Sequence, residues 1–189
     1  MNIIGHTKER KYLESILQRK NISQSYLFLG PESIGKECIA FQFACMLVGE
    51  SDFRSSGDKP TPLDVRILEP EIVVRRGVTR KKTLGVLSVK EELRILKTSP
   101  GIGQYKVLIV RDAHLLTQAS QNLLLKFSEE PDATAIVIFV THERGGLLET
   151  LCSRLEEVRF RFVPEETLKK EGESLGLGVS GDIPDCVFQ

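Results

Sequence analysis

The sequence predicts an α/β domain built on a five-stranded parallel sheet with helices on both faces. Three observations carry that prediction. The runs "SYLFLG", "KVLIVRDA" and "TAIVIFVTH" are continuously apolar rather than alternating, as strands covered on both faces must be. Helical patterns of about ten to fifteen residues separate the strands, the arrangement that crossover connections of a parallel sheet require. Finally, a glycine-containing loop, Gly30 to Gly35, joins the first strand to the helix that follows it.

Taken in order, Thr7 is expected to cap a first helix, "TKERKYLESILQRKN", in which Leu13, Ile16 and Leu17 share one side. After the strand "SYLFLG", Gly35 to Val48 reads as a largely buried helix. Its members Ile39, Phe41, Phe43, Ala44 and Leu47 leave Gln42 as the plainly polar position. From Gly49 to about Pro62 the composition shifts to Ser, Asp, Gly, Lys and Pro, an exposed connection. "DVRILEPEIVVRR" reads as the second strand, running into a hairpin with "GVTRKK" at its tip. That basic tip could touch DNA, although a solvated hairpin tip that keeps an edge strand soluble is the safer reading. Ser88 and Glu91 have capping-box spacing at the head of "SVKEELRILKTS", where Val89, Leu93 and Leu96 line one side. Pro100, Gly101 and Gly103 end that helix. "KVLIVRDA" is the third strand, "TQASQNLLLKFSEEP" a helix closed by Pro131, and "TAIVIFVTH" the fourth strand. "GGLLETLCSR" is a short helix, and the alternating "LEEVRFRFV" is the fifth strand. Past Val163 one more helix begins and then gives way to Gly, Ser and Asp.

Composition narrows the function. The 26 Lys and Arg are balanced by 26 Asp and Glu, so no general excess of cations marks a free-standing nucleic-acid binder. No apolar run approaches the roughly 20 residues of a membrane span, and the N-terminus lacks a secretory core. A cytoplasmic location is expected. Cys38, Cys45, Cys152 and Cys186 show no zinc-knuckle spacing. Cys38 and Cys45 fall on one face of a predicted helix and read as small core residues.

Gly30-Pro31-Glu32-Ser33-Ile34-Gly35-Lys36 fits the phosphate-loop pattern G-x-x-x-x-G-K after a strand and before a helix. In such a loop the glycines turn backbone N–H groups inward, the helix start adds positive potential, and Lys36 reaches the terminal phosphates. Magnesium is normally held by a hydroxyl after the lysine and by an acid ending a later strand. Here Glu37 stands at the first position. At the second, the usual D-E-x-H of a Walker B strand aligns with Arg111-Asp112-Ala113-His114, so a cation replaces the metal-binding acid. A carboxylate about 4 Å from a phosphate charge is repelled by roughly 4 kcal/mol at an effective dielectric of about 20. Arg111 is expected to neutralise Glu37 in an internal salt bridge, where a metal would have been. Hydrolysis by this chain is therefore not expected, and no metal ligands are assigned.

The stretches "IIGH", "SYLFLGPESIGK", "KVLIVRDAHLLT", "SQNLLLKFSEEPDA" and "LLETLCSRLEEVRF" together resemble the delta-prime subunits of the bacterial DNA polymerase III clamp loader. "NLLLKFSEEP" follows that family's "NALLKTLEEP" and, with the Ser-Arg box, is more specific than the phosphate loop. The resemblance covers residues 1–163 and implies a AAA+ P-loop NTPase fold. It makes 49–83 a variable insert and 164–189 the start of a truncated lid domain or a tail. It also implies a rigid stator that usually does not hydrolyse ATP and presents an arginine to the ATP site of a neighbouring gamma/tau motor subunit; no cofactor is required of it, and ATP binding without metal stays open. The delta subunit, the sliding clamp and primed DNA would be further partners within the polymerase holoenzyme. Carried onto this sequence, the arginine is Arg154 with Ser153 beside it; Leu155 stands where the motif normally has cysteine. Thr141 matches the polar sensor position. Glu129 and Glu130 match residues at a subunit contact or structural bond, against the bland alternative of solvation at a helix end. Such subunits often carry a cysteine-rich zinc module after the first helix; with Cys45 alone near that place, no zinc is expected there. Two rivals remain, a catalytically active gamma/tau-like motor and a small-molecule nucleotide kinase. The kinase leaves "NLLLKFSEEP" unexplained.

Overall fold

A computed structural model describes residues 5–50, 61–75, 77–101, 103–129 and 134–174. Five strands form one parallel sheet: β1 (Ser25–Leu29), β2 (Val65–Leu68), β5 (Lys106–Val110), β6 (Ala135–Thr141) and β7 (Glu156–Arg159). Their order is β2-β5-β6-β1-β7. The predicted parallel sheet is thus present, with β6 inserted between the first strand and β5. A separate antiparallel hairpin consists of β3 (Ile72–Arg75) and β4 (Val78–Lys81).

Alternation within the apolar strands explains why both faces are covered. Leu27, Leu108, Val110, Val137 and Phe139 point into one core, closed by the helices α3 (Val86–Leu96), α4 (Gln118–Glu129) and α5 (Glu149–Cys152). Tyr26, Phe28, Val107, Ile109, Ile136 and Ile138 point into the other, closed by α1 (Thr7–Arg19) and α2 (Lys36–Val48). Every residue of β6 is buried. A strand in that position has no polar face to offer solvent, so its sequence cannot alternate. A last helix, α6 (Glu165–Ser174), follows β7. Among the described residues no helix is long and apolar enough to cross a membrane.

Three local expectations are corrected. His6, not Thr7, precedes α1; its backbone is left-handed (φ 54°) and its Nε2 lies 2.8 Å from the Ile34 carbonyl oxygen. Helix α3 starts at Val86 behind Gly85, which places Ser88 inside its first turn. Buried Leu84 sets that start, because it bridges to Leu116 and delivers the chain directly into the helix. "DVRILEPEIVVRR" splits at Pro70 between two sheets, and "VTRK" forms a hairpin strand rather than a tip. Proline lacks the N–H that a continuing ladder needs. Pro131 and most of the connection before Pro62 lie outside the described residues.

One buried polar residue ties together the core closed by α3, α4 and α5. Gln121 is 3% exposed. Its amide donates to the carbonyls of Leu116 (3.1 Å) and Gly146 (2.8 Å), and its oxygen accepts from Leu148 N–H (2.6 Å). Leu148 is the residue that opens α5, so Gln121 sets where that helix begins. Gln121→Leu removes the partners of one buried backbone group, the Leu116 carbonyl, and of two part-buried ones, at Gly146 and Leu148; a fully buried group left unpaired costs about 1–3 kcal/mol. The substitution should lower unfolding stability by at least about 2 kcal/mol in urea titration; an unchanged midpoint would contradict this role.

Candidate functional site

The C-terminal ends of β1, β5 and β6 open onto a common rim, the edge at which parallel α/β sheets place their ligand sites. Gly30 leaves β1 against the backbone of Phe160, whose oxygen would lie 2.5 Å from any added Cβ. Only glycine fits there. Ser33 and Gly35 adopt left-handed backbone (φ 58° and 88°), which curls the loop before α2. Lys36 follows at the helix start, but its side chain does not project outward. It is 6% exposed, and its ammonium donates to the Pro31 carbonyl within the same loop. Burial pushes its pKa below the ordinary 10.5, while Glu37, Glu32 and Asp112 pull it back up.

Arg111, just past β5, reaches across to Glu37 and forms the ion pair expected from the sequence. Its other terminal nitrogen donates to Glu69 at 2.6 Å. These side chains are partly exposed, so the pairs add little to stability, on the order of 0–1 kcal/mol each. Their effect is on the site. One guanidinium flanked by two carboxylates fills the space between the two positions where a phosphate loop keeps its metal ligands. The cleft that remains is about 180 Å³ and is lined by Glu32, Glu37, Arg111 and Asp112 among others. Small-molecule sites more commonly measure about 300–1,000 Å³.

Asp112 takes a left-handed backbone (φ 49°) and pairs with Lys81 of the hairpin at 2.7 Å. His114, on the short 3-10 turn Ala113–Leu115, has Nδ1 3.1 Å from the Thr141 hydroxyl. Burial lowers its pKa, and the neighbouring His142 lowers it further against the pull of Asp112. Thr141, 2% exposed, also donates to the Glu143 carbonyl (3.0 Å) and accepts from Glu143 N–H (3.1 Å). The Thr141 hydroxyl is thus committed to its own chain. Sequence reading missed Lys81, Glu69 and His142, whose partners are remote in sequence. His142 carried one signal, its place directly after the sensor threonine.

Ser153 and Arg154 do not line this cleft. Ser153 ends α5, with its hydroxyl donating to the Thr150 carbonyl (3.1 Å). Arg154 is exposed and donates to the Thr150 carbonyl (2.9 Å) and to Glu129 (3.0 Å). Glu129 is the last residue of α4, where the helix dipole opposes an acid, and Arg154 offsets that cost. Leu155, in the motif's cysteine position, is buried in the core beneath. Glu130 lies outside the described residues.

A family model described as "DNA polymerase III, delta subunit" matches residues 5–164. The chain belongs to that family. Among its relatives, the DNA polymerase III subunit gamma/tau of Mycobacterium tuberculosis (strain ATCC 25618 / H37Rv) is 30% identical over 179 residues, spanning 88% of this chain and 29% of the relative. The DNA polymerase III subunit delta' of Bacillus subtilis (strain 168) is 27% identical over 164 residues, 80% of this chain and 46% of the relative. A crystal structure of a DNA polymerase III gamma subunit-related protein from Thermotoga maritima superposes with a TM-score of 0.61 at 25% identity, covering 87% of this chain and 53% of that one. The chain therefore spans under half the length of these curated relatives. The fold of this DNA polymerase III family member is the AAA+ P-loop NTPase fold, as the resemblance implied.

The buried ammonium yields a test of the loop. Lys36→Met removes a desolvated charge that one carbonyl partners, and should raise unfolding stability by about 1 kcal/mol at pH 7. With the folded pKa lowered, the unfolded chain binds the proton more tightly, so the penalty is complete below the folded value. Wild type should gain on the variant as pH rises through that value toward 10.5. A constant difference across paired denaturation curves at rising pH would refute the assignment.

Proposed function

We propose that this chain is a non-hydrolysing, delta-prime-like stator of the bacterial replicative clamp loader, within the DNA polymerase III holoenzyme in the cytoplasm. The observation that carries the reading is the Glu37–Arg111–Glu69 array, which sets charge pairs where magnesium ligands would stand. Lys36, bonded to its own loop, and Thr141, bonded to Glu143 and His114, support it. The chain needs no ATP. Its contribution is Arg154, offered in trans to the ATP site of a neighbouring gamma/tau motor subunit. The delta subunit adjoins it in the assembly, and the sliding clamp and primed DNA are engaged through the complex.

Arginine suits this task because its guanidinium is permanently charged and pairs with phosphoryl oxygens in a planar fork. Charge spreads over those oxygens most in the transition state, so a cation held there stabilises that state more than bound ATP. In the isolated chain Glu129 occupies the guanidinium, so docking exchanges an exposed carboxylate for a nucleotide triphosphate. Glu129 is thus a positioning residue for the arginine, and Ser153 fixes the end of the helix before it. A second reading, an active gamma/tau-like motor, draws on the mycobacterial relative, which matches 88% of the chain at 30% identity. It requires a metal site that Arg111 fills.

In complexes assembled with the motor subunits of the same bacterium, Arg154→Ala should lower DNA-stimulated ATP turnover by about tenfold or more. Circular dichroism of the variant should be unchanged, and equal turnover by both complexes would sink the stator reading. Titration of the purified chain with labelled ATP separates the rivals. The stator shows no magnesium-dependent binding and no phosphate release; the motor shows both.

A further inference from the structure

Two histidines and an aspartate meet at the rim of the cleft in a way the stator role does not use. One ring nitrogen from each of His114 and His142 and a carboxylate oxygen of Asp112 lie within 4.8 Å of one another. The register of the sheet produces this meeting. Strands β5 and β6 are parallel neighbours with Val110, the end of β5, opposite Phe139, and β6 runs on to Thr141, so the turn after β5 lies level with the end of β6. Asp112 and His114 come from one end, His142 from the other.

We propose that Asp112, His114 and His142 form a zinc site clipping the ends of β5 and β6 together. The donor set decides the metal. Two imidazole nitrogens and one carboxylate suit zinc and other late first-row ions, whereas magnesium and calcium favour all-oxygen ligands. The tautomer of His114 is already set. Thr141 donates its proton to the Glu143 carbonyl, so its oxygen is left to accept from His114 Nδ1–H at 3.1 Å. The Nε2 lone pair of a neutral His114 is then free for a metal, and Thr141 orients the ring as an outer partner. The two rings already lie side by side, with centroids 4.3 Å apart and planes inclined at 63°. Tetrahedral zinc needs ligand atoms roughly 3.3 Å apart. Metal entry would draw the three groups together, with the exposed side chain of His142 turning inward and the Asp112 carboxylate toward His114. Water would complete the coordination.

Lys81 is the built-in competitor, since its ammonium holds the Asp112 carboxylate at 2.7 Å. Metal entry displaces it, which couples the site to the β3–β4 hairpin. The site uses neither Ser153 nor Arg154, and its failure would leave the stator reading intact.

The test is calorimetric titration of zinc chloride into the full-length chain, repeated in millimolar magnesium chloride. The expected result is one zinc per chain, undisturbed by magnesium. His142→Ala, at an exposed position, should weaken zinc by about tenfold or more. Lys81→Ala should tighten it several-fold by freeing the carboxylate. Cobalt(II) substitution should give ligand-field bands without a sulfur charge-transfer band, since the cysteines take no part. Absence of saturable zinc binding, an unchanged affinity in either variant, displacement by magnesium, or a sulfur band would each overturn the proposal.

Discussion

Burial of the central strands on both faces is the constraint from which everything else in this domain descends. β5 and β6 have no solvent face, so between Lys106 at the start of β5 and Thr141 at the end of β6 their side chains are apolar, and polar groups collect at and beyond the strand ends. The polar residues then crowd at one rim, where β5 stops opposite Phe139 and β6 runs on to Thr141. Arg111, Asp112, Thr141 and His142 are neighbours because the hydrophobic core leaves them nowhere else to be.

At that rim, electrostatics carries the proposed stator reading. A phosphate loop needs an accessible lysine, and a divalent ion held by oxygen ligands. Here the lysine is folded into its own loop, and a guanidinium sits between two carboxylates. None of these pairs contributes much to folding. Their importance is that each charge has found a protein partner, so a nucleotide would have to break existing bonds before making its own. The scaffold around them is intact, down to a glycine that a methyl group could not replace.

The sheet was legible in the sequence because two-sided burial leaves an unmistakable trace, unbroken apolar runs such as "KVLIVRDA". The helix faces of Val89, Leu93 and Leu96 were legible for the same reason. Helix starts were not. Ser88 and Thr7 have the chemistry of caps, yet the starts were set by Leu84, pinned to Leu116, and by His6, whose ring bonds to the Ile34 carbonyl. Local spacing cannot register such tertiary anchors. Within the site, Glu37 with Arg111 could be foreseen because both occupy motif positions. Gln121, Lys81 and His142 could not, because each acts on residues more than twenty positions away, with no local pattern to announce it.

The β3–β4 hairpin carries a consequence of its own. Two strands alone are marginally stable in water, and this pair exposes Ile72, Val74 and Val78 rather than burying them. Its side-chain tether to the rim is the Lys81–Asp112 ion pair, in which the lysine is well exposed. With the Asp112 carboxylate only 13% exposed, salt screens this contact pair much less than it screens separated surface charges. The hairpin is therefore fastened to the rim by a short-range charge contact, whereas the sheet below it is held by apolar packing on both faces.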